Sequence, residues 1–504
     1  SRFESESGAE PDLRPALLDG LDPLPPMAFC VPFLDPELQL AFVEDLRRRG
    51  ALTAANTYAC GAGDRREVVL RTAAASDVFF CNETEANLLW GSVDDVTCAP
   101  GHLVYVTLGS RGAVVVQGAH HTPVPGVSVE AVDPTGAGDT FCGTVLARLA
   151  TGAHPVEAAR FGVAAAAAAV TAVGPQRLLE PAEIPGPPED GRARVDTARV
   201  AALASLVAGL DDVEPFPFTG PMLPAALETG ALDFFFSATL QQFGFWTRSD
   251  GHYHLPTYAT IEGERLKGSD YLWAGYLRRM RADPASLQPG SQAAWDRGTL
   301  AGVMRDDAGH CPLPMLEEHA ALAAGYGETM TGLETDPADL VAAANAGDRP
   351  LAALLRVLDH VGGYREDPLR KKSALLGIIL RQRPEQWLRT EDGDDAPPIV
   401  DYHVQRTCLR TGMVLTDGDL RARLVERAVV TPGEESAVRR AAYSAVAMLA
   451  ELSGRSMGAV DWFLFSMRHR CPEMAEPRCN ECPARPACAR DVDLFQPVLR
   501  TTAY

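Results

Sequence analysis

Apolar and polar positions follow two different patterns along the chain. Between about residues 27 and 175, short apolar runs such as Val78 to Phe80 and Leu103 to Thr107 are separated by stretches with helical spacing. Short buried strands that alternate with amphipathic helices are typical of an α/β domain. From about residue 198 onward helical periodicity dominates, for example over Glu435 to Leu452, and strand signals are sparse. The pattern predicts an α/β domain followed by a mainly α-helical one.

The boundary between the two regions is predicted in the segment EPAEIPGPPEDG, residues 180–191. Proline, glycine and acidic residues dominate this segment, as they do in many exposed linkers. We assign residues 1–186 to the first domain, 187–198 to a linker and 199–504 to the second domain. The length agrees with this division, since a single domain usually holds roughly 150 residues.

Charge and hydropathy restrict the partners and the location. The formal net charge of −21 repels a polyanion on average, so nucleic acid is a disfavoured partner unless a local basic face binds it. The longest apolar run, Phe161 to Val170, is too short to cross a bilayer, which takes about 20 residues. The first residues are acidic and polar, unlike a secretory signal. We expect a cytoplasmic protein without a membrane span and make no prediction of its oligomeric state.

Four of the eleven cysteines crowd together near the C-terminus. They are spaced C-x7-C-x2-C-x5-C and comprise Cys471, Cys479, Cys482 and Cys488. Because disulfides are rare in a reducing compartment, this cluster indicates a metal site. Four thiolates can hold either a [4Fe–4S] cluster or a tetrahedral Zn²⁺.

The segment DPTGAGDTFCG, Asp133 to Gly143, precedes an apolar helix in the first domain. The small residues Gly136, Ala137 and Gly138 let backbone N–H groups approach a phosphate, and the N-terminus of a helix adds favourable potential. Asp139 then lies beside the place where a hydroxyl meets the γ-phosphate, as a general base should.

This segment resembles the second signature of the PfkB, or ribokinase-like, family of sugar and nucleoside kinases. Two further stretches agree in order: NETE, which carries an N-x-x-E motif, and VTLGSRGAVV, Val106 to Val115. The resemblance implies a ribokinase-like α/β fold, ATP and Mg²⁺ as cofactors, and a nucleoside or nucleotide as small-molecule substrate. It also implies these roles: an anion hole at Gly136, Ala137 and Gly138, a catalytic base at Asp139, Mg²⁺ and phosphate organisation by Asn82 and Glu85, and ATP contacts at Thr107 and Gly109.

In that family a long segment, which carries the glycine-rich first signature and most acceptor-binding residues, precedes these motifs. We therefore expect either a part of a longer protein or a kinase segment that has lost its activity. The phosphoryl acceptor is not identified by these residues.

The cysteine spacing resembles the C-x6-C-x2-C-x5-C loop of the endonuclease III and MutY branch of helix-hairpin-helix glycosylases, with one additional residue. That resemblance favours a [4Fe–4S] cluster over Zn²⁺. VDYHVQRTCLRTG, Val400 to Gly412, resembles the stretch of the same superfamily that carries the catalytic aspartate. Asp401 is therefore the leading candidate for a catalytic carboxylate, although an aspartate that only caps a helix is the alternative.

LRKKSALLGIIL, Leu369 to Leu380, lies where the second helix of the DNA-binding hairpin should begin. Lys372 takes the position of the lyase lysine of that family, with a solvated or phosphate-binding lysine as the alternative. The glycines of the hairpin are missing, because Pro368 and Arg370 take their places. Since such glycines let backbone N–H groups reach a DNA phosphate, duplex binding is in doubt.

Two aromatic stretches, Leu232 to Trp246 and Gly268 to Arg279, fit either a pair of core helices or a pocket that stacks a base. Together with VDYHV and VDWFLF they also resemble the queuosine-salvage proteins. Three functions follow as hypotheses: a kinase joined to an N-glycosidase in nucleoside or modified-base salvage, an iron–sulfur DNA-repair glycosylase and lyase of the endonuclease III type, or a non-catalytic metal-bound scaffold.

Overall fold

A computed structural model of the chain describes residues 10–20, 25, 27–174 and 190–504. The chain divides into two compact units, residues 1–188 and 189–504. Most of the segment that the sequence assigns to the boundary lies outside the described residues. Residues 193–198, which the sequence placed in the linker, form a short strand and the start of a helix.

The first unit contains one six-stranded sheet, in which the strands lie side by side in chain order. The first four strands are parallel, the fifth pairs antiparallel with the fourth, and the sixth pairs antiparallel with the fifth. The strands are β1 (Met27–Cys30), β2 (Leu52–Asn56), β3 (Val78–Asn82), β4 (Leu103–Thr107), β5 (Gly112–Gln117) and β6 (His120–Pro125). The helices are α1 (Pro36–Arg48), α2 (Ala59–Asp64), α3 (Arg66–Ala75), α4 (Glu83–Trp90), α5 (Ala137–Ala150) and α6 (Pro155–Ala169).

The central strands β3 and β4 are apolar and buried except at their last residues, Asn82 and Thr107, because both faces of the sheet are covered. Phe80 and Tyr105 pack with Phe141 of α5 in one core, whereas Phe79 and Val106 belong to the core on the other face. The predicted α/β architecture is confirmed, and the structure shows that its first four strands are parallel.

The second unit is mainly helical, as predicted. Its helices are α7 (Thr197–Ala208), α8 (Ala231–Thr239), α9 (Ser269–Ala282), α10 (Pro289–Gln292), α11 (Arg297–Val303), α12 (Leu316–Gly332), α13 (Pro337–Asn345), α14 (Pro350–Leu358), α15 (Lys371–Gln382), α16 (Tyr402–Thr411), α17 (Gly418–Glu426), α18 (Pro432–Ser453) and α19 (Met457–Ser466). Short antiparallel pairs join β7 (Ala193–Val195) to β12 (Val414–Thr416), β8 (Trp246–Ser249) to β9 (His252–Pro256) and β10 (Tyr258–Ile261) to β11 (Glu264–Lys267).

Local sequence explains where the helices that matter for function begin and end. Asp401 caps α16 by accepting the backbone N–H of Val404, and Gly412 ends the helix in the left-handed conformation. Thr431 and Glu434 form a reciprocal capping box at the start of α18. Within the part of the chain described above, no helix is long and apolar enough to span a membrane.

Candidate functional sites

A cavity of about 400 Å³ opens in the first unit at the end of β4 and the start of α5. Its walls include Thr107, Gly109, Ala137 and Gly138, four of the residues that the sequence predicted around a nucleotide. Asn82, Glu85 and Asp139 are not among the residues that line it. The phosphate-binding turn and the strand-turn motif, although 28 residues apart at their nearest named positions (Gly109 and Ala137), therefore meet at one opening.

Two glycines hold this opening in shape. Gly112 has φ +97°, and a Cβ placed there would lie 2.1 Å from the backbone oxygen of Val124. A Cβ at Gly126 would lie 2.0 Å from the backbone oxygen of Ser110. No side chain fits at such distances, so the loop after β4 can lie against the β5–β6 pair only because both residues are glycine.

The turn before α5 presents backbone donors to the cavity. Gly136 has φ +80° at the N-cap, and the carboxylate of Asp133 accepts the amides of Thr135 and Gly174. These bonds, with that of Thr135 foremost, lower the pKa of Asp133. The first turn of a helix leaves its amides without intrahelical acceptors, and Gly138 and Asp139 are exposed there. The arrangement suits an incoming phosphate.

Asn82 and Glu85 interact with each other. The Asn82 side chain accepts the amide of Glu85 at 3.0 Å, and the Glu85 carboxylate accepts the amide of Asn82 at 2.9 Å. This pair caps α4, and burial raises the pKa of Glu85. The contacts give both residues a structural role, and their predicted role toward Mg²⁺ stays a prediction.

A second cavity, of about 270 Å³, lies in the second unit among α9, α15, α16 and α19. Aromatic rings and ionisable side chains share its walls. The aromatic residues are Phe216, Phe218, Phe245, Trp273, Tyr402, Trp462, Phe465 and Tyr504. The ionisable residues are Asp270, Lys371, Asp401, His403, Asp461 and Arg468.

Asp401 stands at this cavity as the sequence predicted for a catalytic carboxylate, and it also caps α16. One oxygen accepts the Val404 amide at 2.9 Å, and the residue is only 9% exposed. The catalytic and the capping interpretations are therefore compatible with each other. Arg468 lies over the ring of Phe465, 3.6 Å from its centroid, and in the described part of the chain its Nη1 has no hydrogen-bond partner.

Of the two adjacent lysines at the start of α15, Lys371 rather than Lys372 lines the cavity. The Nζ of Lys372 donates to the carbonyl oxygens of Leu240 and Gly363, both at 2.8 Å, and it is fully buried. Burial lowers the pKa of Lys372 to about 7. Through these contacts Lys372 joins the start of α15 to the segment after α8. Its ammonium does not line the cavity, where a nucleophile would have to lie.

The segment before α15 has no free glycine-rich hairpin. Arg370 takes a left-handed conformation with φ +57° and pairs with Asp359 in a largely buried ion pair. Asp367 accepts both terminal nitrogens of Arg439 at 2.7 Å. Arg370, one of the two residues that replace the hairpin glycines, is thus used for an internal ion pair, which agrees with the doubt about duplex binding.

The two aromatic stretches are divided between both predicted roles. Phe234, Phe235 and Phe236 are completely buried in the core, whereas Phe245 and Trp273 reach the cavity wall. The remaining aromatic wall comes partly from Tyr402 and α19, whose VDYHV and VDWFLF stretches were noted in the sequence. The rest comes from Phe216, Phe218 and Tyr504, which were not singled out there.

The four clustered cysteines line one small cavity beside α16. Arg410 donates to the Sγ of Cys471 at 3.2 Å, and further cationic side chains surround the sulfurs, namely Arg406, Arg470, Arg485 and Arg490. Thiolates in a cationic shell fit an anionic iron–sulfur group. Among the described residues, no set of three or more His, Cys, Asp or Glu side chains is placed to hold a single metal ion.

Known kinases are similar to the first unit in sequence. Residues 33–182 match the family profile described as pfkB family carbohydrate kinase. Ribokinase from Mus musculus is 40% identical over 88 residues, which are 15% of this chain and 27% of that protein. Cytidine kinase from Thermococcus kodakarensis is 30% identical over 139 residues, 26% of this chain and 50% of that protein. The chain thus spans between about a quarter and a half of the length of these relatives.

Solved kinase structures also align with part of the chain. A Burkholderia thailandensis nucleoside kinase in complex with inosine is 22% identical with a TM-score of 0.26, over 30% of this chain and 51% of that chain. Aminoimidazole riboside kinase from Salmonella enterica is 23% identical with a TM-score of 0.27, over 31% of this chain and 62% of that chain. On the profile match and the curated relatives, the predicted PfkB, ribokinase-like domain is confirmed for residues 33–182.

Proposed function

We propose that the second unit hydrolyses the N-glycosidic bond of a nucleoside or nucleotide in a salvage reaction, and that Asp401 stabilises the transition state. We further propose that the first unit is a PfkB-type phosphotransferase that uses ATP and Mg²⁺ on a nucleoside or sugar. The observation that carries the first proposal is the cavity in which Asp401 faces a set of aromatic rings.

The cavity has the size and the walls expected for one nucleoside-sized ligand. Its volume is about 270 Å³, near the lower end of the range of small-molecule pockets. Phe216 and Trp462 stack with ring centroids 4.2 Å apart and form a flat apolar wall. A nucleobase presents a flat π face that packs well on such rings. An extruded or free base fits this description better than a paired one.

Asp401 can act on the sugar once the base is held. Departure of the base creates positive charge at C1′, and a carboxylate in a site with little water stabilises that charge strongly. The same carboxylate can accept a proton from the attacking water. Because the capping bond to Val404 fixes the side chain, Asp401 needs no reorientation during the reaction.

Arg468 and Lys371 give the wall of the cavity two cationic side chains, and Lys371 Nζ also donates to the carbonyl of Gln242 at 3.0 Å. They can meet an anionic or hydroxyl group of a substrate. A kinase that adds a 5′-phosphate to a nucleoside would supply such a group, which gives the fusion of the two units a chemical reason. The similarity to a cytidine kinase supports a nucleoside as phosphoryl acceptor.

For the cysteine site, we propose that Cys471, Cys479, Cys482 and Cys488 hold a [4Fe–4S] cluster, with Zn²⁺ as the alternative. When bound, the cluster would supply cross-links that fix the loop against α16. Arg410 belongs to the helix that begins next to Asp401 and joins that helix to this loop, since it donates to Cys471 Sγ and to the carbonyl of Leu494.

A DNA-repair glycosylase and lyase of the endonuclease III type is the second candidate, favoured by the cysteine loop and by the position of Asp401. The net charge of −21 and the internal use of Arg370 and Lys372 count against it. A non-catalytic metal-bound scaffold is the third candidate.

One assay separates the three candidates. The metal-loaded protein is incubated with ribonucleoside 5′-monophosphates, with the matching nucleosides and with lesion-bearing duplex DNA, and free base is measured. Release from the nucleotide or nucleoside supports the proposal, and preferential release from DNA supports the second candidate. If no free base is released from any of these substrates, both enzymatic functions proposed for the second unit are rejected.

A further inference from the structure

Asp461, on α19, is a carboxylate at the cavity wall that lacks a bonding partner. In the described part of the chain, its side chain makes no hydrogen bond and no ion pair within 4 Å. Several buried acids of the second unit are paired with cations, unlike Asp461: Asp359 with Arg370, Asp367 with Arg439, Asp394 with Arg381 and Glu473 with Lys267. Asp461 is half-buried and lines the cavity, so a ligand there can reach its carboxyl group, which no protein group holds.

The surroundings of Asp461 keep a proton on it. Burial raises its pKa to about 8, the charge of Asp401 adds to the rise, and Lys371 and Arg468 oppose it. The other charged or titratable groups that line the cavity are Lys371 on α15, Asp401 at the N-cap of α16, Tyr402 and His403 on α16, Asp270 on α9, Arg468 after α19, and Tyr504. Asp461 is therefore largely a neutral carboxylic acid at pH 7, which can donate a proton.

Asp401 and Asp461 differ in what they contact. Asp401 accepts a backbone N–H at the start of α16, which orients its carboxylate. Asp461 has no such donor, it lines the same cavity, and the negative charge of Asp401 favours its protonated form. Two carboxyl groups in one site with unequal environments commonly divide the work of acid and base between them.

We propose that Asp461 is the general acid of the reaction, which protonates the nucleobase as it leaves C1′. This inference rests on the proposed N-glycosidase function. As the C1′–N bond breaks, its electron pair goes to the ring nitrogen of the base, and the base takes the proton of Asp461 on a nitrogen. A water molecule forms the new C1′–O bond and gives its proton to Asp401. Transfer of that proton to Asp461 through solvent restores the starting state, so the net reaction is substrate plus water to free base plus ribose product.

The experiment compares two substrates that differ in the need for an acid. Ribonucleoside 5′-monophosphates release a base that leaves poorly without protonation, whereas 4-nitrophenyl β-D-ribofuranoside releases a phenolate that leaves without it. Wild type, Asp461→Asn and Asp401→Asn are assayed with both. The exposed Asp419, on α17, provides the matched control Asp419→Asn.

If Asp461 is the acid, Asp461→Asn slows base release by about 10²–10⁴-fold but changes nitrophenol release only a few-fold. Asp461→Glu should restore part of the lost rate, and Asp401→Asn should slow both reactions. Equal loss with both substrates, or loss with neither, overturns the assignment of Asp461 while the N-glycosidase function stands. A wild type that cleaves neither substrate overturns the proposed function and this inference together.

A second measurement does not depend on turnover. Infrared difference spectra between wild type and Asp461→Asn should show the carbonyl stretch of one protonated carboxyl group, which disappears as the pH rises through about 8. An Asp461 that is already ionised at pH 7 overturns the proposal, whatever the substrates show.

Discussion

The two cavities differ in the chemical groups that line them. In the first unit, backbone groups and small residues at the end of β4 and the start of α5 surround the opening, and Asp139 remains exposed beside it. In the second unit, ionisable side chains from four helices meet aromatic rings in a largely buried site. A backbone site binds a phosphate with little adjustment of protonation, whereas a site of buried side chains sets the protonation of its own acids and bases. Substitutions should therefore act differently on the two units.

The largest effect is expected for Asp139→Asn on phosphoryl transfer. The variant keeps the shape of the side chain but cannot accept the proton of the acceptor hydroxyl, so the rate should fall by about 10²–10⁴-fold. Nucleotide affinity, measured by calorimetry, should hardly change because backbone amides bind the phosphates. The rate is measured on a form of the protein with detectable ATP-dependent transfer, and an unchanged rate in the variant would contradict the role of Asp139.

Asp401→Asn should slow base release by about 10²–10³-fold, the usual result of losing one electrostatic contribution to a transition state. Asparagine caps a helix as well as aspartate does, so α16 should remain folded. Circular dichroism and the metal content check that the fold is intact. If this variant releases base at the wild-type rate, Asp401 only caps the helix and has no catalytic role.

A matched pair of glycines tests whether the first cavity is a backbone site. A Cβ at Gly138 meets no protein atom within 4 Å, yet Gly138 lines the cavity, so Gly138→Ala should keep the fold and weaken nucleotide binding by roughly tenfold. Gly143 lies in the same helix, is exposed and also has open space, so Gly143→Ala should leave binding unchanged and stabilise α5 by about 0.5–1 kcal/mol. Equal affinities in both variants would mean that the phosphates bind elsewhere.

Anaerobically purified protein should be brown and contain iron, because thiolate-bound clusters absorb visible light. Cys482→Ser should remove the metal, whereas Cys311→Ser, outside the loop, should retain it. One zinc and no iron in the wild type would replace the [4Fe–4S] assignment by the Zn²⁺ alternative.

The smallest effect concerns stability rather than rate. The folded-state pKa of Asp461, about 8, lies above its ordinary value of 3.8, so the folded form binds this proton more tightly than the unfolded chain does. The protonated Asp461 therefore contributes to the free energy of unfolding below about pH 4, and this contribution is lost as the pH rises through about 8. The free energy of unfolding falls by less than about 1.4 kcal/mol per pH unit over this range. In denaturant titrations at several pH values, Asp461→Asn should lack this loss, and identical pH dependence of both proteins would contradict it.

Contiguous motifs were readable without the structure. The run DPTGAGDTFCG places its amides at a helix start because glycine allows the turn, and the structure brings Ala137 and Gly138 together with Thr107 and Gly109. The profile match over residues 33–182 agrees with that interpretation. For VDYHV, a helix cap at Asp401 was the alternative to a catalytic role, and the structure has Asp401 at the start of α16.

The remainder of the second site depended on long-range packing. Lys371 and Lys372 are neighbours, and about 100° of helix rotation per residue decides which one faces the cavity. The LRKKSALLGIIL stretch lacks the glycines of the family's hairpin, so its resemblance to that family does not establish which lysine of α15 faces the cavity. Asp461 follows Asp401 by sixty positions, and its partnerless carboxylate is visible only when α15, α16 and α19 are packed together.

The sequence by itself determined the features that short-range chemistry controls: the α/β pattern, the glycine turn before α5 and the spacing of the four cysteines, and it offered the helix cap at Asp401 as an alternative. Only the tertiary structure decided which aromatic residues enter a core and which face a cavity, which lysine is exposed to it, and which carboxyl group lacks a partner. The physical reason is that turns and caps depend on neighbours in the chain, whereas burial and the proton affinity of an acid depend on groups that folding brings from distant segments.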